Sequence, residues 1–277
     1  MPGVDRTVLI LGVTSDIGRE LAVRFVADGW AVVGTYRESA HLTGLPPACR
    51  VLACDVESRR SVNDFVDACA RAGIVWDVFV VAVGSEEPIG PFWECDEDEW
   101  ERGVTVNALA PLRILRKVYP LRNPRGRPSV IFFSGAGTNS AAPAYSAYCA
   151  SKILLIKMCE LLDAESPDTS FVIIGPGIVR TKIHEQTLRV PGRSGANYRK
   201  VVDFLGSDRP GTSHDDIYAC VHWCIQAEKR AVGGRNISLV YDVWRDGRVN
   251  LGAALCRDPE LYKLRRFGND LALGGGR

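Results

Sequence analysis

Two hydrophobic rhythms alternate along this chain. Short runs dominated by apolar and β-branched residues recur at Thr7–Leu11, Ala31–Tyr36, 50–54, 77–83 (DVFVVAV), Ser129–Phe133 and 170–174. Runs this continuous predict parallel strands covered on both faces. Between them lie segments with apolar residues every three to four positions. RELAVRFVADG after the first run is one, and residues 58–72, with Val62, Phe65, Val66 and Cys69 on one face and Ser58 or Asp55 as cap, are another. That spacing predicts amphipathic helices. An acidic start at 94–101 suits a helix N-terminus, and its helix is read on through Val106, Asn107 and Ala110 toward Leu115. Thr212 or Ser213 caps a helix at about 215–226, and 236–240 is a last strand after Gly233-Gly234. Strand and helix thus alternate, which predicts an α/β fold with one doubly wound parallel sheet. Two stretches fall outside the repeat. Residues 182–211 carry Pro191, Gly192, Gly195 and Gly206 and are expected to form an irregular, mobile lid over a substrate. Residues 242–277, with Leu251, Leu255, Leu261, Leu264 and Phe267 among charges, are expected to pack a helix back on the domain or on a neighbouring subunit and to end in a disordered glycine-rich tip.

Composition narrows the possible partners. With 277 residues, 46% apolar content and a net charge of +1, the chain reads as one sizeable globular domain without the basic excess of a nucleic-acid-binding surface. Nine cysteines without paired spacing read as reduced thiols. Cys220 and Cys224 lie one helical turn apart, but His222 points elsewhere, so no metal site is expected. No apolar run approaches the roughly 20 residues of a membrane span, and the N-terminus has no signal-like core, so a cytoplasmic location is expected.

Candidate chemistry clusters where the predicted strands end. Gly12, Thr14, Ser15, Asp16, Ile17 and Gly18 form a tight turn between the first strand and its helix, which aims free backbone N–H groups and the positive dipole end at a phosphate. At the end of the second strand stands Arg37 rather than an acid, which favours the 2′-phosphate of NADP(H) over the bare ribose of NAD(H), with Arg19 as a second cation. Asp55-Val56 ends the third strand, where the carboxylate would meet the adenine amino group, and Gly84 closes the fourth, where its small size admits a ribose. Pro176, Gly177, Val179 and Thr181 lie in a rigid turn after the sixth strand. Tyr148 and Lys152, four residues apart, share a helical face, so the ammonium can favour an ionised phenol. Asn107 sits among apolar residues, where a buried amide needs a specific partner.

In order and spacing these landmarks resemble the classical short-chain dehydrogenase/reductase family over residues 7–241. The resemblance implies a single-domain Rossmann-type fold, a homodimer or homotetramer, and an NADP(H)-dependent exchange between ketone and alcohol. It implies Tyr148 as general acid, Lys152 as holder of the nicotinamide ribose and modulator of the phenol, and Asn107 as positioner of a relay water. The residues from Pro176 to Thr181 would contact the nicotinamide and its phosphates. Three departures stand out. Asp16 replaces the middle glycine of the turn, and Val81-Ala82-Val83-Gly84 replaces Asn-Asn-Ala-Gly. Thirteen residues before the tyrosine, Gly135 stands in place of the catalytic serine, leaving Ser134, then Thr138 or Ser140, or a backbone N–H of the 135–137 turn, as substitute donors. Glu86, Glu87, His184 and Glu185 fall in the substrate loops and suit a polar, sugar-like or aminocyclitol-type ketone. Oxidation of a secondary alcohol with NAD(P)+ and a dinucleotide-binding regulator without turnover are the competing readings.

Overall fold

A computed structural model describes residues 6–246 and 248–266, which leaves Phe267 and the glycine-rich end outside the described residues. Seven strands form one parallel sheet in the order β3-β2-β1-β4-β5-β6-β7. They are β1 Thr7–Leu11, β2 Ala31–Tyr36, β3 Arg50–Ala53, β4 Val78–Val81, β5 Ser129–Phe133, β6 Ser170–Gly175 and β7 Arg235–Ser238. Successive side chains of a strand leave on opposite faces. Val8, Ile10, Val78, Val80, Ile131, Val172 and Ile174 therefore join one core layer, while Leu9, Leu11, Phe79, Val81, Phe132, Phe171 and Ile173 join the other. This two-sided burial is why the strand sequences are apolar without alternation.

The connecting helices are α1 Asp16–Ala27, α2 Arg59–Arg71, α3 Glu97–Val104, α4 Ala110–Val118 and α5 Ser146–Glu165, followed by α6 His184–Arg189, α7 Ala196–Leu205, α8 His214–Gln226, α9 Lys229–Val232 and α10 Leu251–Arg257. Ser15, Ser58, Asp96 and Ser213 cap their helices by accepting from the amides of Gly18, Ser61, Glu99 and Asp216. Each such cap stabilises by about 1 kcal/mol. α1 and α8 cover one face of the sheet; α2, α4 and α5 cover the other.

Several segments differ from the sequence-based expectation. The fourth strand stops at Val81 instead of 83 because β1 ends at Leu11, whose carbonyl takes the last ladder bond from Ala82 N. The last strand likewise ends at Ser238, opposite Gly175 at the end of β6. Residues 182–211 are not irregular. Their glycines and proline are confined to the connections around α6 and α7, which bury Thr187, Val201 and Phe204. The Arg180 guanidinium holds this segment at its far end, donating to the carbonyls of Phe204, Leu205, Ser207 and Arg209 at the C-terminus of α7. The helix expected to run unbroken through Asn107 is interrupted by a π-helical turn, Thr105–Leu109, between α3 and α4. In the tail, Leu251 and Leu255 enter the core, and the buried Arg235 donates to the carbonyls of Leu255 and Asp258 at 2.6 and 3.0 Å.

The strand order reverses between β1 and β4. A crevice therefore opens beyond their carboxyl ends, the place where open α/β sheets bind ligands.

Candidate active site

The dinucleotide end of the crevice is made mostly of backbone. Gly12 has φ +86°, and a Cβ there would stand 2.6 Å from Val83 Cγ1. Only glycine lets the turn pass that close to β4. Ser15 Oγ accepts from Gly18 N, and Gly12 N donates to Thr35 Oγ1 at 2.9 Å, so the turn is fixed from both sides. The first amides of α1, including Ile17, point out of the helix end as such amides must. Asp16 accepts the Lys182 amide at 2.6 Å, and Lys182 Nζ donates to Thr14 O at 3.1 Å. The start of the segment carrying α6 is thereby tied onto the glycine turn.

The other nucleotide-end residues gather along the same edge. Arg37 is exposed and, among the described residues, pairs with its neighbour Glu38 at 3.0 Å. Such a surface pair contributes about 0–1 kcal/mol and is readily exchanged for a phosphate. Arg19 donates to His41 O at 3.0 Å while its Nε is buried without a partner among the described residues. The orphaned guanidinium N–H of Arg19 and the exposed guanidinium of Arg37 are donors of the kind a nucleotide phosphate needs, so these residues fit a dinucleotide cofactor. Asp55 uses one carboxylate oxygen to accept from Glu57 N, and Val56 packs on the core beside it. Val179 is buried and Thr181 half-buried in the turn after β6. There Gly177 has φ +76°, and a Cβ on it would meet Val240 and Thr212.

The reacting end is made of side chains. Lys152 is 5% exposed, donates to Phe133 O at 2.9 Å and lies 5.3 Å from the Tyr148 ring centre. Among the described residues Nζ makes no other hydrogen bond, which leaves it two further N–H donors. Burial pushes its pKa down to about 8. Burial first, and then Glu86 once it ionises, push the Tyr148 phenol above its ordinary value, the opposite of the shift expected from the Lys152 spacing, so the ring holds its proton at neutral pH.

Asn107 is fully buried in the π turn. Its Nδ2 donates to Gly103 O and Ser85 O, both at 2.8 Å, and its Oδ1 accepts from Ser85 N at 2.9 Å. It thus clamps the backbone just beyond Gly84, where a Cβ would approach Asn107 Oδ1 to 3.3 Å. This clamp braces the end of β4, whose Val81-Ala82-Val83 lacks side-chain amides.

At Gly135, an added Cβ would stand 2.6 Å from Tyr148 Cζ and closer still to its hydroxyl oxygen. The phenol occupies the space a side chain at this position would need. The hydroxyls nearby face elsewhere. Ser134 Oγ lies on the β6 side, 3.1 Å from where a Cβ on Gly175 would be, and Thr138 Oγ1 donates to Gly135 O.

Glu86 completes the mouth of the crevice. Its amide donates to Gln186 Oε1 at 2.7 Å, and its carboxylate accepts from Thr187 Oγ1 at 2.9 Å, which lies 2.6 Å from the Tyr145 hydroxyl. Burial raises the Glu86 pKa to about 7. Of the other residues expected in substrate loops, Glu87 is exposed, Glu185 pairs with Arg189, and His184 is turned toward Val179 O and the Phe204 ring. Tyr145, Lys182, Gln186 and Thr187 were not singled out from sequence as site residues. Only the i, i+3 spacing of Tyr145 and Tyr148 carries a local signal.

Among the described residues no helix is long and apolar enough to cross a membrane. A family model described as short chain dehydrogenase matches residues 6–190. The NADPH-dependent pterin aldehyde reductase of Arabidopsis thaliana is 27% identical over 185 residues, 64% of this chain and 76% of the relative. The 17-beta-hydroxysteroid dehydrogenase type 1 of Mus musculus is 31% identical over 200 residues, 67% of this chain, and the match spans only 57% of the relative's length. Among solved structures, a short chain dehydrogenase/reductase from Saccharomyces cerevisiae superposes with a TM-score of 0.77 at 20% identity, covering 87% of this chain and 98% of its own.

Proposed function

This chain belongs to the short-chain dehydrogenase/reductase family of NAD(P)-dependent oxidoreductases acting on CH–OH and C=O groups, and within it we propose that the protein uses NADPH to reduce a ketone on a polar, sugar-like or aminocyclitol-type small molecule. The observation that carries this reading is the Tyr148 phenol held beside the buried Lys152, whose Nζ lies 5.3 Å from the ring centre and is anchored on Phe133 O at the carboxyl end of β5. A donor that keeps its proton at neutral pH suits the reductive direction, in which the developing alkoxide must be protonated.

Bound NADPH supplies the hydride. Gly12 to Gly18 and the start of α1 cradle the pyrophosphate, with Arg19 and Arg37 on the 2′-phosphate, Asp55 and Val56 at the adenine, and Gly84 at the ribose. Pro176, Gly177, Val179 and Thr181 hold the nicotinamide end, and Lys152 directs its two free donors to the ribose hydroxyls. Tyr148 delivers the proton. Asn107 holds Ser85 and thereby the wall of the substrate site. Glu86, Thr187 and Tyr145 give that site a polar lining suited to hydroxyl or amino groups, and the working form is a homodimer or homotetramer of a cytoplasmic enzyme.

The test is consumption of NADPH and of NADH with a panel of small polar ketones. Wild-type protein should prefer NADPH. Tyr148→Phe should lose about 10²–10⁴-fold in kcat while binding NADPH as before. A Tyr148→Phe protein of full activity would remove the tyrosine from the chemistry.

A further inference from the structure

We infer that Glu86, in its carboxylic-acid form, is a catalytic residue that donates the second hydrogen bond to the substrate carbonyl oxygen, the place left by the missing serine. The inference rests on the ketone-reductase reading and deepens it at the same site.

Three observations lead here. The space beside Gly135 is taken by the Tyr148 phenol, so no side chain at that position can reach the carbonyl without displacing the proton donor. The turn hydroxyls are diverted, Ser134 toward β6 and Thr138 onto Gly135 O. Across the crevice, Glu86 is fixed by its own backbone and by one carboxylate oxygen. Its amide is held by Gln186, its Oε2 by Thr187, and the chain Glu86–Thr187–Tyr145 ends one helical turn from Tyr148. Oε1 has no partner among the described residues.

The groups nearest this carboxyl are Tyr145 at the N-cap of α5, Tyr148 and Cys149 on α5, and Thr187 on α6, with Gln186 on the Glu86 amide. No cation is among them, so nothing compensates the desolvated carboxylate and the acid form persists to about pH 7. A neutral carboxyl kept protonated by a desolvated site is an effective oxyanion donor. In the step itself the hydride forms the new C–H bond, the phenol proton passes to the oxygen, and Glu86 keeps its proton while its hydrogen bond shortens on the growing charge. The tyrosinate regains its proton from solvent.

The measurements use full-length protein with NADPH and diacetyl as probe. Glu86→Ala should lose about 10²-fold in kcat, and Glu86→Gln, whose amide still donates, should stay within about tenfold of wild type. In wild type kcat/KM should fall as pH rises through about 7, and in Glu86→Gln that limb should vanish, leaving only the loss near 8 that belongs to Lys152. Glu86→Ala at full rate, or a rate that rises with pH through 7 and is abolished in Glu86→Gln, would overturn the inference; the second result would mark an anionic Glu86 that binds a substrate cation. A readout independent of turnover is the infrared band of a protonated carboxyl. It should titrate near pH 7 in wild type and be absent from Glu86→Gln, and its absence from wild type overturns the inference outright. Wild type separates the two levels: full ketone reduction in both wild type and Glu86→Ala sinks the inference alone, whereas wild type that binds NADPH but consumes none with any polar ketone sinks the reductase reading itself.

Discussion

At the glycine turn the chain exchanges a family glycine for Asp16, and the backbone around it is undisturbed. Gly12 and Gly18 keep their close contacts, Ser15 caps α1, and the helix end still presents its amides. At the other end of the crevice the exchange of serine for Gly135 leaves no side chain to donate, and the phenol of Tyr148 fills the gap. A site built from backbone conformation tolerates a changed side chain so long as φ and close approach are kept. A site built from side-chain donors cannot lose one without another group taking over its position.

The largest expected effect tests the reacting end. Gly135→Ser returns the family's residue but places its Cβ inside the phenol's contact distance. Displacing a proton donor by about 1 Å costs on the order of 10²-fold in rate, and the overpacking costs about 1–3 kcal/mol. A slower enzyme with a lower melting temperature is expected; a faster one of unchanged stability would dissolve the contrast between the two ends.

Next comes Arg37→Ala. Removal of a charge-assisted bond to the 2′-phosphate should weaken NADPH binding about 10–100-fold, with NADH binding unchanged; equal losses for both would take Arg37 off the phosphate. A smaller effect concerns Glu86 and pH. Its folded pKa of about 7 lies above the unfolded value, so the folded state holds the extra proton. That stabilisation is complete below about pH 4 and is lost as pH rises through 7. The melting temperature of wild type, followed from about pH 5 to about pH 8, should fall by a few degrees more than that of Glu86→Gln. Parallel curves would mean that Glu86 titrates normally.

The smallest effect is expected at the glycine turn. Asp16→Asn keeps an acceptor for the Lys182 amide and removes a like charge near the pyrophosphate. NADPH affinity should improve by roughly 2–5-fold, on the scale of a weak surface charge interaction. A large loss would show that the carboxylate is part of the cradle.

The sheet, its order of elements and two of the helix caps were legible because their signals are local: apolar runs, Ser58 and Ser213 before their helices, glycines after strands. The two helices of the 182–211 segment were not, since Pro191, Gly192 and Gly195 dominate its composition while its order depends on Arg180 gathering carbonyls more than twenty residues away. Tyr148, Lys152 and Asn107 were legible as a set through spacing and family likeness. The partners of Glu86 were not, because Gln186 and Thr187 lie about a hundred residues further along the chain and no local pattern links them.

The π turn at Thr105–Leu109 has a consequence of another kind. A π turn is an α-helix carrying one surplus residue, and here that residue lets the Asn107 amide reach Gly103 O and both polar groups of Ser85. The flanking segments bury Gly103 on one side and Ile114 and Leu115 on the other. An in-frame loss of a single codon within the turn would rejoin them as an ordinary helix, keeping those contacts and the fold while carrying the amide away from Ser85.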